Sequence, residues 1–114
     1  MNQMPGMLNP KNWTGANRRA LTATAVVSQL ARLEGWTLSG EGAQLAIEKA
    51  YRFANYFETI AFVNMVAFVA HVADHHPDLS VCYNRCVVRF NTHDVAGLSI
   101  TDFECAAKID GALQ

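Results

Sequence analysis

The stretch Tyr56–Pro77, YFETIAFVNMVAFVAHVADHHP, decides the fold. Its apolar residues do not alternate, and from Ile60 to Ala73 only Asn64 and His71 interrupt them. That pattern predicts a helix from Tyr56 to Asp74 that is buried on every side. Pro77 disfavours helical geometry at His76 and sets the stop. The apolar run is about 14 residues, short of the roughly 20 that a bilayer needs, so no membrane span is expected.

Working outward, Trp36–Leu38 and Leu45–Phe53 alternate apolar and polar residues around the turn Ser39-Gly40-Glu41-Gly42. They read as a hairpin, with Leu45–Phe53 placed at a sheet edge. Val81 to Thr92 is strand-like, with a bend or break at Tyr83-Asn84-Arg85. Leu21–Leu33 has helical periodicity, Thr22 or Thr24 to cap it and Gly35 to end it. Thr101–Leu113 reads as a last helix, with Thr101 as N-cap and Glu104 closing a capping box. The order α-β-β-α-β-β-α predicts an α+β domain, a four-stranded antiparallel sheet with three helices on one face. Residues 1–20 read as an irregular tail and residues 21–114 as a single domain.

Of the 114 residues 51% are hydrophobic and only 17% charged. A chain this short has much surface for its volume, so part of that apolar content is expected at a subunit interface. The uncovered side of the long helix, Val63 for example, is the expected contact, giving a homodimer or homotetramer. Nine basic residues against ten acidic ones build no electrostatic footprint for nucleic acid. Three cysteines, with Cys82 and Cys86 spaced C-x3-C, fit neither a disulfide framework nor a zinc knuckle. With no apolar leader in the first 20 residues, a reduced cytoplasmic setting is expected.

All four histidines, His71, His75, His76 and His93, fall in the second half. His71 and His75 are i and i+4 near a helix end, His76 turns the Pro77 corner, and His93 follows the last strand. Such a set can converge on one pocket, where imidazoles titrate near neutrality. Asp74, Asp94 and Asp102 are close enough in sequence to orient the rings. Three readings compete: unrelated surface histidines, a zinc site, and metal-free acid/base catalysis. His71-Val72-Ala73-Asp74-His75 lacks the Glu of H-E-x-x-H, but spacing alone does not choose between metal and no metal.

Residues 71–102 resemble the pterin-4a-carbinolamine dehydratase family, also called dimerisation cofactor of a homeodomain transcription factor. The matching positions are His71, His75, His76, Pro77, Tyr83, His93 and Asp102, with every spacing kept. The likeness continues through Leu30–Trp36, Tyr51–Tyr56, Phe62–Ala67 and Gly97-Leu98-Ser99 with Phe103. One departure is His71, where many relatives carry Glu.

The resemblance implies a 4a-hydroxytetrahydrobiopterin dehydratase, a lyase that eliminates water from the 4a-carbinolamine to give quinonoid dihydropterin. It recycles pterin for aromatic amino acid hydroxylases and needs no cofactor or metal. It carries over His75, His76 and His93 as catalytic, with His75 and His93 the acid/base pair and His76 positioning the 4a-hydroxyl or N5. Asp74 and Asp102 would orient imidazoles, backbone groups at Pro77 and across Thr92, His93, Asp94 and Val95 would hold the pterin ring, and His71 would belong to the same substrate-binding set. The alternative implied by the same family is a non-catalytic module that stabilises a transcription-factor dimer.

Overall fold

The computed structural model describes residues 19–114. The tail expected over residues 1–20 therefore lies, but for its last two positions, outside the described residues. The order is α1 (Ala23–Leu30), β1 (Thr37–Ser39), β2 (Ala46–Arg52), α2 (Tyr56–Ala73), β3 (Asp78–Cys82), β4 (Arg85–Phe90) and α3 (Ile100–Ala112). The α-β-β-α-β-β-α order and the α+β class are as the sequence predicts.

The four strands form one antiparallel sheet in the order β1-β2-β4-β3. This corrects the placement of Leu45–Phe53 at an edge. β2 is interior, paired to β1 on one side and from Ile47 to Arg52 to β4 on the other. The edges are the three-residue β1 and β3. Alternation shows that one face is buried, but not which neighbour fills each hydrogen-bonding side.

Each helix start has a local cause. Thr22 caps α1 by accepting from Ala25 N at 3.1 Å. Asn55 caps α2 by accepting from Glu58 N at 2.9 Å, and Glu58 reaches back to Ala54 N at 3.0 Å. For α3 the cap is Ser99, not Thr101, with Asp102 rather than Glu104 at the third helical position, accepting from Ser99 N at 2.9 Å. Ser-x-x-Asp and Thr-x-x-Glu overlap here, and the former wins because Asp102 is buried among several donors. α1 stops at Leu30, short of the expected Leu33. Tyr83-Asn84 is the turn that splits the β3–β4 stretch, and Thr59 Oγ1 pins it by donating to Tyr83 O at 2.9 Å.

The core lies between the sheet and the helices: Trp36, Ile47, Tyr51, Cys86, Val88 and Phe90 meet Phe62, Val66, Phe103 and Ile109. At one end Asp110 accepts from Trp36 Nε1 (2.9 Å), Tyr51 Oη (2.6 Å) and Lys49 Nζ (3.1 Å), tying α3 to β2. Burial, helped by the hydrogen bond to Asp110, pushes the Tyr51 hydroxyl well above the usual tyrosine range. Burial likewise pushes the Cys86 thiol up.

α2 spans 18 residues, more than the apolar run alone suggests, and by length and composition it is long and apolar enough to cross a membrane. Within the chain only one stripe, Thr59, Phe62, Val66 and Ala70, is buried. Phe57 (82% exposed) and Phe68 (50%) stand outside. Val63, expected on the outer side, packs against the core instead.

Candidate active site

The C-terminal end of α2, the end of β4 and the start of α3 meet at one cleft. Asp74 caps α2 in the left-handed conformation (φ 50°, ψ 43°), its N–H bonding His71 O and Ala70 O. His75 N also donates to Ala70 O at 3.1 Å. This reversal turns consecutive side chains to opposite environments: His75 is buried, at 5% exposure, while His76 is exposed.

The His75 ring stacks on Phe90 (centroids 5.7 Å, 11° between planes), and its Nε2 lies 2.6 Å from Asp102 Oδ1. Asp102 is fully buried. Its other oxygen accepts from Thr92 Oγ1 at 2.6 Å and from Ser99 N at 2.9 Å. A carboxylate with those partners accepts from the imidazole too, so in neutral His75 the proton sits on Nε2. Thr92 has one hydroxyl proton and gives it to Asp102. Ser99 Oγ, 2.8 Å away, is then the donor to Thr92 Oγ1.

His93 begins a single 3-10 turn, His93–Val95, closed by Ala96 in the left-handed region (φ 54°) and by the paired backbone of Thr92 and Gly97. The turn leaves His93 and Asp94 exposed. A cavity of about 200 Å³ joins these segments, lined by Asp74, His75 and His76 on one side and Asn91, Thr92, His93 and Asp94 on the other. A larger cavity, about 550 Å³, lies elsewhere between Arg32, Lys49, Tyr51 and Asp110, but none of its lining residues is a histidine.

The structure thus brings together His75, His76, His93, Asp74, Thr92 and Asp94 from the sequence-derived set. Asp102 is there as an orienting group behind His75 and Thr92. Pro77 and Val95 are half-buried neighbours that do not line the cavity, and His71 is exposed one turn back on α2, also outside it. Tyr83, a position of the family signature, is at the other end of α2, stacked on Tyr56 (6.4 Å, 18°). Asn91 was missed. Its only signal is its place directly before Thr92-His93. Among the described residues no three His, Cys, Asp or Glu side chains group as metal ligands.

A one-sheet α+β domain whose helix end and strand end focus three imidazoles on a cleft is the class of protein this geometry defines. The chain belongs to the family described as pterin 4 alpha carbinolamine dehydratase, whose profile matches residues 19–112. A protein of Paracidovorax citrulli provisionally named pterin-4-alpha-carbinolamine dehydratase is 64% identical over 107 residues, 94% of this chain and 92% of the relative. A Bdellovibrio bacteriovorus protein with the same provisional name is 52% identical over 96 residues, 81% and 77% of the two chains. Among solved structures, the transcriptional coactivator/pterin dehydratase of Brucella melitensis superposes with a TM-score of 0.75 at 28% identity, covering 82% of this chain and 97% of that one. These likenesses support a lyase of the pterin dehydratase type acting on a pterin.

Proposed function

We propose that the protein dehydrates 4a-hydroxytetrahydropterin to quinonoid dihydropterin. The observation that carries the reading is the convergence of His75, His76 and His93 on one cleft, with His75 oriented by buried Asp102. In the elimination the C4a–O bond breaks, N5 gives up its proton and the N5 electron pair closes the C4a=N5 bond. The leaving hydroxyl takes a proton and departs as water. No electrons change hands, so the step needs one acid and one base near neutral pKa.

His75 is the base on the inner side, its ring held in place by the Asp102 carboxylate behind Nε2. His93, on the opposite wall, is the acid that protonates the hydroxyl. His76, at the mouth, positions the 4a-hydroxyl or N5, and the backbone of the Thr92–Val95 turn holds the ring. An assay on 4a-hydroxytetrahydropterin generated by an aromatic amino acid hydroxylase tests this. Acceleration well above the uncatalysed dehydration is expected, and none would overturn the reading.

The Brucella protein's coactivator name supports a second reading, a partner-binding role. In this chain it would use the outer face of α2, where Phe57 and Phe68 are exposed. The same face is the one through which we expect copies of this chain to associate.

A further inference from the structure

Three consecutive backbone carbonyls in the loop between β1 and β2 are held by two side chains of the β4 segment. Arg89 Nη2 donates to Gln44 O at 2.8 Å. Asn91 Nδ2 donates to Ala43 O at 3.1 Å and to Leu45 O at 2.7 Å. The same nitrogen lies 3.2 Å from Gly97 O, the carbonyl that accepts from Thr92 N across the base of the His93 turn. One amide therefore ties a loop some fifty residues earlier in the chain to the turn that carries His93.

The loop is shaped for this. Gly40 has φ +77°, and a Cβ there would come within 2.5 Å of Gln44 O and 3.0 Å of Arg89 Nη2, so only glycine lets the carbonyls reach their donors. Three surrounding carbonyls also settle the orientation of the Asn91 amide, because only its NH2 end can serve them. Its Oδ1 is consequently buried without a partner, the one such side-chain atom found among the described residues. An orphaned buried acceptor is destabilising, and it is kept in a residue of the cleft wall.

We propose that Asn91 is a positioning residue for His93, and that Arg89 and the Gly40–Leu45 loop brace it from outside the cleft. Asn91 acts through the turn rather than on the pterin. Its effect falls on the placement of the His93 ring, while His75, held by Asp102, stays in place. The proposal rests on the dehydratase reading for its kinetic arm only.

The test compares Asn91→Asp, which puts an acceptor where three carbonyls need a donor, with Arg89→Met and Arg89→Lys. Measured are kcat and KM on hydroxylase-generated 4a-hydroxytetrahydropterin, thermal unfolding, and the imidazole ring NMR resonances of His93 and His71. Misplacing a catalytic group by about 1 Å can cost up to ~100-fold. Asn91→Asp is therefore expected to lower kcat at least about tenfold with KM within about twofold. Arg89→Met should lower the same parameter by less, and Arg89→Lys, which can still donate to Gln44 O, should restore most of it. The His93 ring resonances should move in Arg89→Met, which adds no charge to the cleft wall, and return in Arg89→Lys, while those of His71 stay in place. Folded variants with unchanged kcat and unchanged His93 ring resonances would overturn the proposal, as would a loss confined to thermal stability. If the wild type shows no turnover, the dehydratase reading fails, and the His93 ring resonances alone decide the positioning role.

Discussion

His75 Nε2 and Asp102 Oδ1 are 2.6 Å apart in a site that water scarcely reaches, His75 5% exposed and Asp102 not at all. The pair joins the end of α2 to the first turn of α3. It makes His75 both a member of the cleft and a member of the core.

His75→Ala and His93→Ala should therefore behave differently. Each should lower the dehydration rate by about 10²–10⁴-fold, the usual contribution of a positioned acid or base. His93 is exposed, and its loss should leave stability unchanged. His75→Ala strands a buried carboxylate and empties the space over Phe90, and should cost about 3 kcal/mol in denaturant unfolding. Equal stability of the two variants would contradict the placement of His75.

Turnover should not depend on a metal. Pure protein treated with a chelator and analysed for elements is expected to keep its full rate with no stoichiometric zinc. Zinc at one equivalent whose removal abolishes turnover would replace imidazole acid/base chemistry with a metal mechanism.

Tyr51 should make the fold sensitive to alkali. Its folded-state pKa is raised, so its contribution is complete below the ordinary tyrosine value of about 10 and is lost as pH climbs towards the folded value. Unfolding free energy should drop between pH 9 and pH 11, pH values chosen around that ~10 reference. In Tyr51→Phe the drop should be smaller. At neutral pH that variant loses the hydrogen bond to Asp110, at a cost of about 1–2 kcal/mol. An equal alkaline drop in both proteins would assign the effect elsewhere.

Ala96 sits in the left-handed region at φ 54°, where a Cβ is disfavoured. Ala96→Gly relieves that strain at the cost of a more flexible unfolded chain, and should raise stability by about 0.5 kcal/mol. A fall in the thermal midpoint would show that the methyl group has a packing role.

The outer side of α2 should mediate self-association. Phe68→Glu places a charge on that side without touching the buried stripe, and is expected to convert a dimer or tetramer to monomer in sedimentation equilibrium at micromolar protein. Val63 is unsuited to this test because it packs inward. An assembly that persists unchanged in Phe68→Glu would move the interface elsewhere, with the β3 edge the next surface to test.

The sequence by itself determined the element order, because helical and strand periods differ and Pro77 and the Thr22 cap mark ends locally. It also picked out the three histidines that line the cleft, since His75-His76-Pro77 and Thr92-His93-Asp94 are contiguous motifs that resemble a known signature. Only the tertiary structure decided that β2 is interior, because pairing partners lie far apart in the chain and alternation is the same for an edge and a central strand. Only it decided that Ser99 and Asp102, not Thr101 and Glu104, start α3, because the choice turns on the donors Thr92 and His75 gathered around Asp102 from other elements. The same holds for Tyr83, which the family signature grouped with the site and which lies towards the other end of α2, next to Thr59 rather than His75; from Thr59 to Ala73, at about 1.5 Å per residue, the helix runs about 21 Å. Asn91 was illegible for the same reason: its role is set by carbonyls of Ala43, Leu45 and Gly97, and nothing local in the sequence records which carbonyls will face an amide after folding.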